Sequence, residues 1–533
     1  MDALLPLLVG GPVLVAFVTT RLRAAVLRRA LGLLVSGSVL VASVLLVLAT
    51  RDGDVLAAQV AGWPAGIAIP LAVDLLSALM VAVASLLVTT CLAFAAATGD
   101  DEDRWFVPLA LVLSAGVYGA FVTADLFNLF VLVEVALIPS YVLLTMHARR
   151  EQLRAGRVYL AVNLLGSTVL LAGIALLYGV TGTVNLGELA GAATQSDAAA
   201  LAAGVVLVAF GVKAAVVPAH GWLPATYPHA PPAVTALFSG LLTKLGVYAL
   251  FRVYSVVFEG DPRLSGVLLV LFLATMVLGV LGALGEGSMR SILVFHMVSQ
   301  VGYILLGLSF FGVLGMTAAI FYFLHHTVVK ASLLMSAGAI EHTAGTDRLD
   351  RLGGLARREP LLALAFLISA LSLAGLPPFS GFVAKFVLVR AALLEQQYLA
   401  AGLAIGVSLF TLLSMMKIWN GVFWGRAPHE HPTTTAGAPV NPDPGPESGA
   451  AQAHRESLAT QAAAAVDVVA DARTASTPDE PPHVRRALVL PGLALAVVTV
   501  AIGLGAEVVL DLSRVAAEGL VDTGAYVEAV TGR

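Results

Sequence analysis

The chain is poor in lysine. Only five of its 30 basic residues are lysine (Lys213, Lys244, Lys330, Lys385 and Lys417), and the other 25 are arginine. Every lysine sits inside an apolar stretch, whereas the arginines fall mostly in or beside loops and in the tail. A buried lysine can give up its proton, but an arginine stays charged in any protein setting. A genomic bias towards arginine codons explains the loops, not the places where the lysines stand. Ionisable side chains are rare in membrane spans and mark ion pathways. The placement therefore points to sites that change protonation state.

Cysteine is almost missing. Cys91 is the single one, within an apolar run, which excludes intrachain disulfides. Charge is scarce at 12%, and the net charge of −4 argues against nucleic acid as a partner. What fills the 533 residues is apolar: 59% hydrophobic, with a mean hydropathy of +0.91. Each spanning helix needs about 20 apolar residues. The pattern predicts an all-α polytopic membrane protein of about fourteen transmembrane helices. The spans lie near 3–20, 26–49, 69–97, 105–123, 126–147, 156–179, 199–219, 231–256, 264–284, 290–311, 315–340, 361–391, 399–424 and 487–510. The chain opens directly into an apolar run without a basic leader, so a retained first helix is expected rather than a signal peptide.

Arginine sets the orientation. Arg21, Arg23, Arg28 and Arg29 follow span one, Arg149, Arg150, Arg154 and Arg157 follow span five, and Arg348, Arg351, Arg357 and Arg358 precede span twelve. By alternation these loops share one face, which the positive-inside rule makes cytoplasmic. The loop at 181–197 has no basic residue and falls on the other face. Both termini then point outward. Residues 427–485, rich in Pro, Gly and Thr at their start, read as a cytoplasmic linker that cannot bury a core, with a possible short surface helix after it.

Proline interrupts two spans. Span seven reads VKAAVVPAHGWLP, with Lys213 before Pro218; span twelve reads SLAGLPPFSGFVAKF, with Lys385 after Pro377 and Pro378. Broken backbone at membrane depth is tolerated only where protein or water satisfies it. Each break is followed by a lysine in the next span, Lys244 or Lys417. The pattern thus occurs twice, about 172 residues apart, with the order of break and lysine reversed. Such a reversal is how inverted-topology repeats read, and these place coupling sites near the midplane.

Glu134, in TADLFNLFVLVEVALIPSY, is the carboxylate best placed to pair with a membrane lysine, and Lys213 is the natural partner. Span eleven brings His325, His326 and Lys330 together, with His326 and Lys330 four apart on one face. Histidine titrates near neutrality and can pass protons either way. His220 and His229 flank the break in span seven and could gate access. Asp74 heads span three as a possible cation contact, Asp125 is expected at an interface, and His296 is a weaker relay candidate. Lys417 lies nearer a span end and could snorkel to the surface. No oxygen cluster suited to sodium is visible. An alternating row of lysines and a carboxylate suits a lateral relay, in which a charge change at one site biases the next.

The runs GAFVTADLFNLFVLVEVALIPSY, VKAAVVPAHGWLPATYPHAPPAVTALFSGLLTKLGVYALFR, MRSILVFHMVSQVGYILLG, HHTVVKASLLMSAG and LAGLPPFSGFVAKF carry a resemblance over roughly residues 60–425. They resemble the antiporter-like subunits of respiratory complex I and of the Mrp-type cation/proton antiporters. AGWPAGIAIPLAVDLLSALM and GAFVTADLFNLFVLVEV look most like the D-type branch of the Mrp group.

The resemblance implies two inverted five-helix repeats with discontinuous helices seven and twelve. The expected divisions are 1–100 for helices one to three, 101–260 and 261–426 for the two repeats, 427–486 for the linker, and 487–533 for the last helix and tail. The resemblance also assigns a proton relay through Glu134, Lys213, Lys244, His326, Lys330 and Lys385. It implies a Na⁺ or other monovalent cation/H⁺ antiporter subunit of a bacterial cytoplasmic membrane, hetero-oligomeric with other Mrp subunits, without cofactor or nucleotide. The linker departs from the family pattern. A redox-driven proton pump of the complex I or membrane hydrogenase kind is the alternative expectation.

Overall fold

The computed structural model describes residues 4–59, 68–425 and 484–532. Nearly all of this backbone is helical, because a helix satisfies its own amides and carbonyls where lipid offers no partners. The first half comprises α1 (Leu4–Arg21), α2 (Ala25–Thr50), α3 (Leu75–Thr98), α4 (Phe106–Val122), α5 (Leu126–Thr145), α6 (Arg150–Thr181), the short α7 (Ala192–Gln195), α8 (Asp197–Lys213), α9 (Trp222–Thr226) and α10 (Pro232–Val256). The second comprises α11 (Pro262–Gly285), α12 (Met289–Ser309), α13 (Val313–Ala344), the short α14 (Leu355–Arg358), α15 (Pro360–Ala374), α16 (Ser380–Leu394) and α17 (Tyr398–Ile418), which runs into a π-helical turn at Trp419–Trp424. After the linker come α18 (Arg486–Leu504), α19 (Ala506–Val521) and α20 (Gly524–Thr531).

Among the described residues, eleven helices are long and apolar enough to cross a membrane. The three other expected spans are the shorter α4 and the two broken ones, α8 with its break and α15 with α16. The polar helices are central. The apolar middles of α10 and α13 are wholly enclosed, while α1 and α2 stand at the edge with Leu14, Phe17, Leu34 and Val41 exposed. The gradient places the ionisable side chains away from hydrocarbon and gives the edge helices an apolar outer surface.

Small residues let the helices approach closely, as membrane packing requires. A Cβ on Gly302 would stand 2.5 Å from Met276 N, and one on Gly279 would stand 2.3 Å from Ser299 N, so α11 and α12 meet backbone to backbone. Gly302→Leu should therefore destabilise the protein by about 1–3 kcal/mol or more. A fall in the unfolding temperature of the detergent-solubilised protein checks this; an unchanged temperature refutes the close contact.

Three expectations need correction. Span three does not begin at 69: Pro70–Val73 form a strand, β2, paired antiparallel with β1 (Leu56–Gln59), and helix starts only after Asp74. The side chain of Asp74 accepts from Ser77 N at 2.9 Å, so a cap sets the start of α3 where hydropathy sees one continuous apolar run. Span six begins earlier than 156, because Arg150 to Arg157 already form the polar first turns of α6. The chain after 510 is also structured. In α19, Ser513, Ala516, Ala517 and Leu520 are buried, while Asp511, Arg514 and Glu518 pair outside. Such an amphipathic helix is invisible to a search for unbroken apolar runs. The expected linker and its surface helix lie outside the described residues, apart from 484–486.

Candidate proton-relay site

The first break positions the first pair. Helix α8 stops at Lys213, and the chain runs irregularly through Ala214–Pro218 before α9. Ala215 takes φ +61°, a conformation that ends the helix sharply. The free backbone is re-satisfied by side chains: Trp222 Nε1 donates to Val212 O at 3.0 Å, and Val217 N donates to Thr275 Oγ1 at 3.0 Å. Lys213 is thus the last residue of its helix, where a cation is favoured. Its Nζ donates to Ser167 Oγ of α6 at 2.9 Å, Ser167 donates to Glu134 Oε1, and Nζ and Oε1 are 3.9 Å apart. Lys213 is 5% exposed and Glu134 is 23% exposed, on the outer side of α5.

The second break has the same chemistry with the chain order reversed. Helix α15 ends at Ala374, and Lys385 of α16 reaches back to donate to Leu373 O and Ala374 O, both at 2.9 Å, and to Ser408 Oγ at 3.0 Å. The Tyr303 ring lies 5.3 Å from its Nζ. Gly375, at φ +87°, ends α15, and a Cβ there would meet Lys385 Cδ at 2.7 Å. Lys385 Nζ thus bonds the carbonyl end of its half-helix, whereas Lys213, the last residue of its own, turns its Nζ to Ser167 and Glu134. One lysine precedes its break and the other follows because Lys213 is carried by the helix that ends at its break and Lys385 by the helix that starts after it.

Between the breaks lies a buried row. Lys244 of α10 and His326 and Lys330 of α13 are fully buried. Among the described residues, no protein group hydrogen-bonds Lys244 Nζ, Lys330 Nζ, either ring nitrogen of His326 or the adjoining Thr243 Oγ1. Lys244 is within electrostatic reach of both His326 and Lys330, and His296 is within reach of Lys330 and Lys385. His325 turns aside to Ser380 Oγ at 2.7 Å, within reach of Lys385. The link back to Lys213 is steric. A Cβ on Gly246 would stand 2.8 Å from Ala214 N, and a cavity of ≈10 Å³, lined by Lys213, Asn163, Trp222 and Leu245 among others, has room for about one water.

The other expected residues divide. His229 is exposed, 3.9 Å from Glu151, in the wall of a cavity of ≈630 Å³ on the face of the basic loops. His147, His342, Asp100 and Asp347 line the same cavity, and burial pushes the Asp100 carboxyl above its ordinary range. Arg290 closes its floor with Glu341 at 2.7 Å and Thr235 Oγ1 at 3.1 Å. His220 is half-buried in the first break. Lys417 reaches the surface and donates to Leu284 O and Glu286 O at 3.0 and 2.6 Å. Asp125 caps α5 by accepting from Asn128 N at 2.7 Å. Asp74 lies in a buried pair with Arg252. Among the described residues, no group of three or more His, Cys, Asp or Glu could hold a metal ion.

Sequence reasoning missed Ser167, which bridges the first pair, and Ser408 and Tyr303, which hold Lys385. His296 Nε2 lies 2.5 Å from Ser414 Oγ, between the central lysine and the last one. A serine in an apolar helix is too common a signal to single out.

The transmembrane family model described as NADH:quinone oxidoreductase/Mrp antiporter matches residues 123–411. The D component of a Na⁺/H⁺ antiporter from Alkalihalophilus pseudofirmus is 41% identical over 75% of this chain and 82% of its own length. A chain in the structure of the Mrp complex from a Dietzia species is 47% identical, with a TM-score of 0.88 over 100% of this chain and 99% of that one. A chain of respiratory complex I from Thermus thermophilus is 25% identical, with a TM-score of 0.74 over 98% and 100%. The chain accordingly belongs to the NADH:quinone oxidoreductase/Mrp antiporter family of transmembrane subunits, on the branch of the D-type Na⁺/H⁺ antiporter components.

Proposed function

We propose that this chain is the proton-translocating subunit of a multisubunit monovalent cation/H⁺ antiporter, a secondary transporter component with no catalytic chemistry of its own. The observation that carries the reading is the contact of Glu134, Ser167 and Lys213 at one end of a buried row of titratable groups that finishes at Lys385. Protons entering from outside drive cation export, and the relay begins with a change of charge at the first pair. The change biases Lys244, then His326 and Lys330, then Lys385, each step altering the field at the next. The higher identity to the Mrp chain than to the complex I chain favours cation exchange over a redox-driven pump. The fourteen spans, the two repeats at 101–260 and 261–426, and the cytoplasmic placing of the basic loops are part of the same proposal.

Glu134 reaches the outer surface of α5. A carboxylate there needs a protein or polar neighbour instead of lipid tails. This accords with a hetero-oligomeric membrane complex, and the function belongs to the assembled complex. The test is cation-driven ΔpH in vesicles that hold the whole complex, with Glu134→Ala and Lys213→Ala expected to be inactive yet assembled. Wild-type signals from either would refute the assigned roles.

The bridge carries its own prediction. Ser167→Ala removes the hydroxyl between carboxylate and ammonium. A hydrogen bond to a charged group contributes about 1.5–3 kcal/mol. Antiport turnover should fall about tenfold or more, while Ser167→Thr keeps most of it. Unchanged turnover in the alanine variant would show that the bridge is incidental.

A further inference from the structure

Away from the row, a buried polar cluster lies at the end of α10 opposite the basic loops. Arg252 is 1% exposed, and its Nη2 donates to Asp74 Oδ1 at 2.8 Å, Ser77 Oγ at 3.2 Å and Tyr248 OH at 3.2 Å. Nη1 stands 2.8 Å from Asp74 Oδ2 without hydrogen-bond alignment, and Nε has no hydrogen-bond partner among the described residues. The guanidinium is thus buried with part of its bonding capacity unspent. Buried pairs of this kind are weak devices for stability, and a switching role is among their best-attested uses.

Two features turn the cluster into a route. Tyr248 OH lies 2.8 Å from Ser77 Oγ and donates to Phe121 O at 2.7 Å. Tyr248 also stands four residues from Lys244 on the same face of α10, about 6 Å along the axis. On its other side the cluster borders a cavity of ≈290 Å³ lined by Asp74, Tyr526, Asp52, Glu518 and Asp522. The Tyr526 ring, on α20, covers Arg252 with its centroid 4.4 Å from the guanidinium carbon. The hairpin and α20 hold this cover down, with Gln59 Nε2 donating to Val530 O at 3.2 Å.

We propose that Asp74, Ser77 and Tyr248 form the outward proton access to Lys244, with Arg252 and Tyr526 as its closure. The inference rests on the proton-relay reading above. A proton from the outer cavity adds to Asp74 Oδ2 and removes the charge that holds Arg252. Asp74 passes a proton to Ser77 Oγ, and Ser77 passes its own to Tyr248 O. Tyr248, released from Phe121 O, gives its proton to a buried water that the otherwise unpartnered Lys244 Nζ would hold, and that water protonates the neutral Lys244 amine, which becomes an ammonium. The guanidinium stays charged throughout. It repels cations while the route is idle.

The test uses the complete antiporter complex in proteoliposomes with a pH dye inside, read for cation-driven ΔpH and for proton leak without exchangeable cation. Tyr248→Phe deletes one oxygen and should lower antiport turnover about a hundredfold, with partner subunits retained in the purified complex. Tyr526→Ala should raise the cation-free leak severalfold, a gain that loss of a merely structural contact would not produce. Wild-type turnover in Tyr248→Phe overturns the route, and wild-type leak in Tyr526→Ala overturns the closure. Glu134→Ala, run in parallel, separates the two readings. If it is inactive while Tyr248→Phe is normal, the relay stands and the outer route fails; if Glu134→Ala is itself normal, the relay fails.

Discussion

Glu134→Gln should reduce cation-driven proton movement by at least about a hundredfold while the complex still assembles. Glu134 faces Lys213 at 3.9 Å through the Ser167 hydroxyl, and Lys213 is 5% exposed at the end of a helix. Removing one member of a buried pair costs about 3–5 kcal/mol, because the other charge is left uncompensated. The lower end applies here, since Glu134 keeps some exposure. Each 1.36 kcal/mol is tenfold in the balance of protonation states, so about two orders of magnitude are expected. Glutamine has the size of glutamate and still accepts from Ser167, so packing and assembly should survive. Glu134→Asp should fall in between, with the charge kept and the reach shortened. Dye-reported ΔpH in vesicles, with co-purified partner subunits as the assembly check, decides the matter. A glutamine variant at wild-type rate would remove the first pair from the mechanism.

Arginine at Lys244 or Lys330 should be as damaging, by about a hundredfold or more in exchange rate. Both amines are fully buried, and no described protein group hydrogen-bonds either. A guanidinium cannot release its proton at any accessible pH, so the row would be blocked by a fixed charge. Arginine is also larger, and overpacking alone costs about 1–3 kcal/mol. Lys244→Gln therefore belongs in the same experiment. It fits the space, carries no charge, and should be equally inactive though well assembled. Failure of both variants brackets the requirement for a group that alternates between two charge states. Lys417→Arg is the control, because Lys417 bonds carbonyls at the surface and should tolerate arginine with little change. Full exchange by Lys244→Arg would sink the alternating-amine mechanism.

Much of the fold was legible because a bilayer permits few solutions. A long apolar stretch that cannot leave its amides unpaired becomes a helix, and most spans fall within a few residues of their expected limits. The misses have local causes. The cap at Asp74 rests on one hydrogen bond and the strand at Pro70–Val73 on pairing with Leu56–Gln59, neither of which hydropathy registers. Helix α19 was missed because its polar face interrupts every window. Within the site, the lysines and Glu134 were legible as ionisable residues at membrane depth. Ser167 and Ser408 were not, because neutral polar side chains are tolerated in many helices and are singled out only by what they touch.

Composition and spacing are properties of the chain alone. They were enough to establish that it spans a membrane, that proline breaks two of its spans, and that its lysines lie at depth. Which amine meets which carbonyl, hydroxyl or carboxylate was settled by packing. Packing put Lys213 and Lys385 at the ends of half-helices, left Lys244 and Lys330 without described protein partners, and tied Asp74 to a residue 178 positions away. Those contacts join helices far apart in sequence, and their energies depend on distances of a few ångströms that no local pattern encodes.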